Sequence, residues 1–148
     1  MKFQISKAVI SILILFSILT GSCDKQEVQN PVPNITFDVT LNLTLPLYEP
    51  LLHPLGGIVF YNAGSKGLAI LRLSNDDFAV YDRHCPYNVH EGCVVEENED
   101  TIGGLIDSDC CNSKFNMINE GFPDEGPAVN GLRPYSYTFN GTILRIFN

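Results

Sequence analysis

The sequence has little positive charge. Nine Lys and Arg residues stand against 17 Asp and Glu residues, which gives a formal net charge of −8 over 148 residues. So acidic a chain is a poor partner for nucleic acid, whose phosphates attract basic surfaces. The sequence also has no arrangement of Ser, His and Asp that indicates a catalytic triad. It has no pair of carboxylates that can be assigned to a substrate cleft, and no Gly-rich loop of the phosphate-binding type. We therefore predict neither nucleic-acid binding nor enzymatic activity.

Helical stretches and internal repeats are absent too. The chain instead contains short segments rich in Val, Ile, Leu, Thr, Phe and Tyr, which are broken by Gly, Pro, Asn and Asp. Such a composition suits strands and turns better than helices. A length of 148 residues with 45% hydrophobic content fits one domain with a modest core. We predict a single all-β domain.

The first strands follow from the spacing of apolar residues. Residues 35–45 alternate between apolar and polar side chains, which is typical of a half-buried strand. A connection interrupted by Pro follows over 46–55. The segments 57–62, 67–74 and 77–83 then predict three strands in a meander, separated by turn residues.

The second half of the chain predicts two further hairpins. One enters at Val94, turns at a charged tip around Asn98 and returns to Ile106. The other joins residues 135–139 to 142–147 through an Asn-Gly pair, which is the strongest short hairpin signal.

The N-terminus has the layout of an export signal. Lys2 and Lys7 precede an uncharged, largely apolar run over 8–19, which is followed by small residues and then Cys23. The run is shorter than the roughly 20 residues that a membrane-spanning helix needs. We therefore predict a signal peptide over residues 1–22 that is cleaved on export.

The small residues directly before Cys23 resemble a bacterial lipobox. The resemblance implies that Cys23 becomes the lipidated first residue of an exported lipoprotein, held at the membrane by its lipid on the periplasmic or cell-surface side. The alternative is an ordinary signal peptidase site with Cys23 as a spare thiol. Residues 23–33 are mostly polar and end in a Pro-rich stretch, which predicts a lipidated tether before a folded domain over 34–148.

Three motifs lie in a particular order in the second half. Residues 81–87 read Tyr-Asp-Arg-His-Cys-Pro-Tyr, residues 108–115 read Ser-Asp-Cys-Cys-Asn-Ser-Lys-Phe, and residues 126–128 read Gly-Pro-Ala. They resemble the Cys-x-His box, the Cys-Pro-x-His-Gly-Ser-x-Phe box and the covering loop of the Rieske [2Fe-2S] ferredoxin-like family. The resemblance implies small antiparallel sheets that present two Cys-containing loops.

The resemblance also identifies the positions equivalent to cluster ligands, which are Cys85, Tyr87, Ser108 and Cys111. A Rieske centre needs two Cys on one iron and two His on the other. The three histidines of the chain are His53, His84 and His90, so none lies near the second box. We therefore expect no normal cluster and favour no cofactor.

The remaining cysteines point to disulfides. If Cys23 is lipidated, four cysteines are left, an even number in an oxidising compartment. The resemblance implies a loop disulfide between Cys93 and Cys110. Cys85 and Cys111 occupy opposing ligand positions in the family, which leads to our hypothesis of a second disulfide. A vicinal disulfide between Cys110 and Cys111 is a further alternative, although it would be strained.

Three functions remain in view. The first is a binding or structural module of the cell envelope, with a protein or small molecule as partner. The second is electron transfer through an iron-sulfur cluster with altered ligands, and the third is a zinc site. The ligands for these alternatives are Cys85, Cys93, Cys110 and Cys111 for the cluster, and Cys85 and Cys111 with His84 or His90 for zinc.

Overall fold

The computed structural model describes residues 30–148. The predicted signal peptide, Cys23 and the tether as far as residue 29 lie outside these residues. Within the described part of the chain, no helix is long and apolar enough to cross a membrane. Short strands in three antiparallel sheets dominate, so the predicted all-β class is confirmed.

Ten strands follow one another along residues 30–148. They are β1 (Asp38–Asn42), β2 (Ile58–Tyr61), β3 (Leu68–Arg72), β4 (Phe78–Asp82), β5 (Glu96–Glu97), β6 (Gly104–Ile106), β7 (Lys114–Asn116), β8 (Phe122–Glu125), β9 (Ser136–Phe139) and β10 (Ile143–Phe147). Two 3-10 helices, Pro46–Leu52 and Val89–Glu91, interrupt them. The strands form a terminal sheet in the order β1-β10-β9, a central sheet in the order β2-β3-β4 and a four-stranded sheet in the order β5-β6-β7-β8.

The central sheet is the middle layer of the domain. Along β3, Leu68 and Ile70 belong to a core cluster shared with the terminal sheet, while Ala69 and Leu71 belong to a second cluster shared with the four-stranded sheet. Successive side chains of a strand point to opposite faces. Both faces of β3 are therefore buried, which explains why its sequence is continuously apolar instead of alternating.

The predicted meander and closing hairpin are both present. Strands β2, β3 and β4 pair antiparallel in sequence order, and β9 pairs with β10. The first strand is shorter than the alternating pattern predicts, because Ile35 and Leu45 lie outside β1 and are 43% and 50% exposed. Strand β1 pairs with β10, which closes the terminal sheet between distant parts of the chain.

The end of the predicted tether contacts the folded domain. Val32 is buried, and its carbonyl oxygen accepts a hydrogen bond from Arg133 Nε at 2.9 Å. Asn30 Nδ2 donates to the carbonyl of Gly131, also at 2.9 Å. Asn30 and Val32, in the last part of the predicted tether, are thus held on the domain by these hydrogen bonds and by the burial of the Val32 side chain.

Two other segments differ from the sequence-based expectation. The Pro-containing connection includes a 3-10 helix that buries Tyr48 and Leu51 in the core. Strands β7 and β8 were not predicted, since their residues include Lys114, Pro123 and Asp124, which are uncommon in strands. Phe115 is the only buried residue of β7.

A buried carboxylate connects the central sheet to the loops that follow it. Asp82 ends β4, and its oxygens accept hydrogen bonds from Tyr135 Oη at 2.7 Å and from the backbone N–H groups of Ser65 at 2.6 Å, Lys66 at 3.2 Å and His84 at 2.7 Å. Burial, followed by the hydrogen bond to Asp82, raises the pKa of Tyr135 above its ordinary range. The carboxylate therefore sets the position of the backbone that leads to Cys85.

Candidate thiol site

Two loops meet at one edge of the four-stranded sheet. The first loop, residues 83–95, joins β4 to β5, and the second loop, residues 107–113, joins β6 to β7. A backbone hydrogen bond of 3.0 Å from Cys85 N–H to the carbonyl of Cys93 closes the first loop on itself. The second loop is closed by a bond of 2.9 Å from Asp107 N–H to the carbonyl of Ser113.

A cysteine pair joins the two loops. The Sγ atoms of Cys93 and Cys110 lie at disulfide distance, and their Cα atoms are 6.3 Å apart. That separation lies within the roughly 4.4–6.8 Å that disulfides span. The pair is the one that the family resemblance implies, and it uses the sulfur of Cys110 that a vicinal bridge with Cys111 would need.

Two free thiols lie beside this disulfide. Cys85 is fully buried and Cys111 is partly exposed, with their Sγ atoms 3.9 Å apart. The hypothetical second disulfide is not formed in the structure, where Cys85 and Cys111 are both free. The short separation leaves that disulfide as a prediction for an oxidised form of the protein.

The structure adds Asp107, which the sequence interpretation missed. Its side chain is 0% exposed, and Oδ2 lies 3.3 Å from Cys111 Sγ. The donor atoms of Cys85, Asp107 and Cys111 all lie within 4.8 Å of one another. A signal for Asp107 existed in the sequence, because it is an acidic residue between an apolar strand and a Cys loop, directly before Ser108.

The carboxylate affects the thiol chemistry. Burial, followed by the hydrogen bond to Asp107, raises the pKa of the Cys85 thiol well above its usual range, and a backbone hydrogen bond from Tyr87 opposes the shift only in part. The thiolate is the reactive form of cysteine. The shift therefore disfavours the reactive thiolate form of Cys85.

Ser113 also contacts Cys111 and connects it to the Gly-Pro-Ala segment. Cys111 Sγ lies 3.0 Å from Ser113 Oγ, which also accepts a hydrogen bond of 3.1 Å from the backbone N–H of Ala128. At Gly126 the backbone has a φ of +96°, and a Cβ atom there would lie 2.5 Å from Ser113 Cα. Only glycine allows this close approach. The Gly-Pro-Ala segment thus packs directly on the second loop.

The other sequence-predicted residues are placed differently. His84 is buried, but its Nδ1 lies 2.8 Å from Ser65 Oγ and its Nε2 lies 3.0 Å from the carbonyl of Val89. Because a carbonyl only accepts, Nε2 donates to Val89, while Nδ1 is paired with the Ser65 hydroxyl. Both nitrogens are therefore engaged away from the thiols. His90 and Ser108 are exposed, and Tyr87 packs against the core cluster.

These donors do not fit a Rieske cluster. Of the four ligand-equivalent residues, Cys85 and Cys111 lie next to each other, whereas Ser108 is exposed. Neither loop brings an imidazole to the two thiols. The altered set of four cysteines fits no better, because Cys93 and Cys110 are bonded to each other. Glu91 lies close to that disulfide, but it offers only a carboxylate once both sulfurs are bonded.

A separate groove of about 740 Å³ lies on another part of the surface. Its wall includes Tyr81, Phe122, Val129 and Leu132, and Asn30 lies at its edge. Phe122 and Val129 expose much of their apolar surface. No residue of the thiol site lines this groove.

The two thiols should differ in reactivity. In the native protein at mildly alkaline pH, we expect Cys85 to react with iodoacetamide at least about tenfold more slowly than Cys111, because it is buried and its thiolate is disfavoured. Mass spectrometry of proteolytic peptides over a time course measures both rates. In denaturant the two rates should become similar, and equal rates in the native state would contradict the described burial.

No model of a known protein family matches this chain, and a search of curated proteins gives no significant match.

Proposed function

We propose that this chain is a lipid-anchored protein of the cell envelope with a Rieske-like domain that carries a disulfide-linked thiol site in place of a [2Fe-2S] cluster. It acts as a binding or structural module and not as an enzyme. The observation that carries the proposal is the pairing of the two loops through Cys93 and Cys110, with Cys85 and Cys111 adjoining them.

The cysteine arrangement supports a module over an electron carrier. A Rieske-type cluster takes two thiolates and two imidazoles, and a ferredoxin-type cluster takes four thiolates. The site offers two thiols and one carboxylate. The loop disulfide joins the two loops covalently, so the loops keep their arrangement without iron.

The anchor follows from Cys23 and from the docking of Asn30. Seven peptide units join a lipidated Cys23 to Asn30, which is hydrogen bonded to the domain. Even fully extended, that length of chain spans at most about 25 Å. The lipid would therefore hold the domain close to the membrane surface, where a partner in the same membrane or at its surface is within reach.

The cluster question is tested on residues 24–148, the protein without its signal peptide and Cys23, purified without oxygen from cells that assemble iron-sulfur proteins. We expect a colourless protein without stoichiometric iron or acid-labile sulfide, and a cross-linked peptide that contains Cys93 and Cys110. A visible iron-sulfur absorption band with matching iron and sulfide would overturn the proposal.

The anchor is tested in the full-length chain. We expect the wild-type protein in the membrane fraction with an acylated N-terminal peptide, and Cys23→Ser in the soluble fraction or uncleaved. Mass spectrometry of the N-terminal peptide measures the acylation. A mature N-terminus other than Cys23, without lipid, would show that export uses an ordinary signal peptide.

A further inference from the structure

We infer that Cys85, Asp107 and Cys111 form a binding site for one thiophilic divalent cation of the zinc type, whose fourth coordination position is left to water or an added ligand. The inference rests on the proposed function as a binding module and names the class of ligand. It replaces the imidazoles of the sequence-based zinc hypothesis with a carboxylate.

The distances between donor atoms fit tetrahedral zinc. Zinc binds sulfur at about 2.3 Å and carboxylate oxygen at about 2.0–2.2 Å, so a tetrahedral ion separates two sulfurs by about 3.8 Å and a sulfur from an oxygen by about 3.5 Å. The two Sγ atoms are 3.9 Å apart, and Cys111 Sγ is 3.3 Å from Asp107 Oδ2. For these two pairs the donor atoms need to move only a few tenths of an ångström to bind the ion, and the donor atoms of the third pair, Cys85 and Asp107, lie within 4.8 Å of each other.

The charge of the site also favours a cation. Asp107 is a buried acidic residue, and it belongs to neither of the ion pairs found among residues 30–148, which join Lys114 to Glu125 and Arg145 to Asp38. A buried carboxylate without a positive partner is costly. A divalent cation would supply that charge and replace the two thiol protons, which leave on binding.

The residues around the donors already orient them. Cys110 N–H donates to Asp107 Oδ1 at 3.0 Å, which leaves Oδ2 for the thiols. Ser113 Oγ lies 3.0 Å from Cys111 Sγ and is held by the N–H of Ala128. Partners of this kind, which hold a ligand without touching the metal, commonly strengthen metal binding.

The solvent-exposed side of the site is at Cys111. Cys85 and Asp107 are buried, whereas Cys111 is partly exposed on the surface of the second loop. Three protein ligands with a fourth position open to solvent is an arrangement that zinc adopts in proteins. The fourth ligand would therefore enter beside Cys111.

Oxidation competes with cation binding for the same two sulfurs. Forming the Cys85–Cys111 disulfide removes two electrons and two protons, which pass to an oxidant such as a small-molecule disulfide and convert it to two thiols. A bound cation protects both thiolates from this exchange, since a coordinated sulfur is a poor nucleophile. The disulfide and the cation site are thus alternative states of one thiol pair.

The test uses the mature protein, purified without oxygen, freed of metal by a chelator and titrated with Zn²⁺ or Co²⁺. We expect one ion per chain, and with Co²⁺ a thiolate-to-metal absorption band together with the intense visible bands of a tetrahedral site. Cys85→Ser or Cys111→Ser should weaken the thiolate band, and Asp107→Asn should lower the affinity at least about tenfold.

Asp109→Asn is the matched control, because Asp109 is an exposed carboxylate on the same loop. It should leave the affinity unchanged. Circular dichroism and mapping of the Cys93–Cys110 peptide check that each variant is folded. Three results would overturn the inference. The first is that a protein with both thiols free binds no metal. The second is that Asp109→Asn and Asp107→Asn lose the same amount of metal affinity, and the third is a Cys85–Cys111 disulfide in the anaerobic protein.

The outcomes also separate the inference from the proposed function. Iron with acid-labile sulfide in the anaerobic protein contradicts the proposed function whatever the zinc titration gives. A colourless protein that binds neither Zn²⁺ nor Co²⁺ contradicts only the cation site and leaves the disulfide-linked module in place.

Discussion

Asp82→Ala should lower the free energy of unfolding by about 4 kcal/mol, since it removes the acceptor of four hydrogen bonds from an interior position. The backbone N–H groups of Ser65, Lys66 and His84 and the hydroxyl of Tyr135 would lose their partner together. A buried donor left without an acceptor costs about 1–3 kcal/mol, and water entering the cavity recovers part of the loss. Urea unfolding followed by circular dichroism measures the difference.

Two variants control for this effect. Tyr135→Phe removes a single donor and should cost about 1 kcal/mol. Asp76→Ala changes an exposed carboxylate in the turn before β4 and should change stability by less than about 0.5 kcal/mol. A loss in Asp82→Ala no larger than in Asp76→Ala would contradict the described role of the carboxylate.

Removing the loop disulfide should have the second large effect. We expect the double variant Cys93→Ala/Cys110→Ala to lose about 3 kcal/mol, because the bridge closes a segment of 17 residues and limits the unfolded chain. Chemical unfolding of the oxidised protein, compared with that of the double variant, measures the loss. The midpoint of unfolding should shift to lower denaturant.

The free thiols provide the matched comparison. The double variant Cys85→Ser/Cys111→Ser keeps the loop disulfide, which should still limit the unfolded chain and so stabilise the fold. The variant does place hydroxyl groups in a partly apolar site. Equal stability of the wild type and of the Cys93→Ala/Cys110→Ala variant would mean that the loops are not cross-linked in solution.

The sequence was informative about the thiol site to a limited extent. The resemblance to the Rieske family implied a Cys93–Cys110 pair and the proximity of Cys85 and Cys111. The structure brings these cysteines together because the two loops meet at one edge of the four-stranded sheet. The position of Asp107 before a Cys loop was too weak a signal to identify it, since an aspartate in a turn is usually solvated. Nor did the sequence indicate that both nitrogens of His84 are used by Ser65 and Val89.

Local patterns decided most of the fold class. The segments that became β2, β3 and β4 and the hairpin through Asn140 and Gly141 were evident from the sequence, because apolar runs and turn residues lie within a few positions of one another. Strands β7 and β8 were not evident, since their few residues carry Lys, Asp and Pro and are held by pairing with neighbours.

By itself, the sequence determined that the chain is acidic and built of short strands, and that four of its five cysteines lie within residues 85–111, with no histidine beyond residue 90. Tertiary structure alone decided that β1 pairs with β10, that Val32 docks in the core, and that Asp107 faces two thiols. The physical reason is that strand propensity and turn chemistry act between near neighbours in the chain. Burial, and with it the cost of an unpaired charge, depends on which distant segments come together.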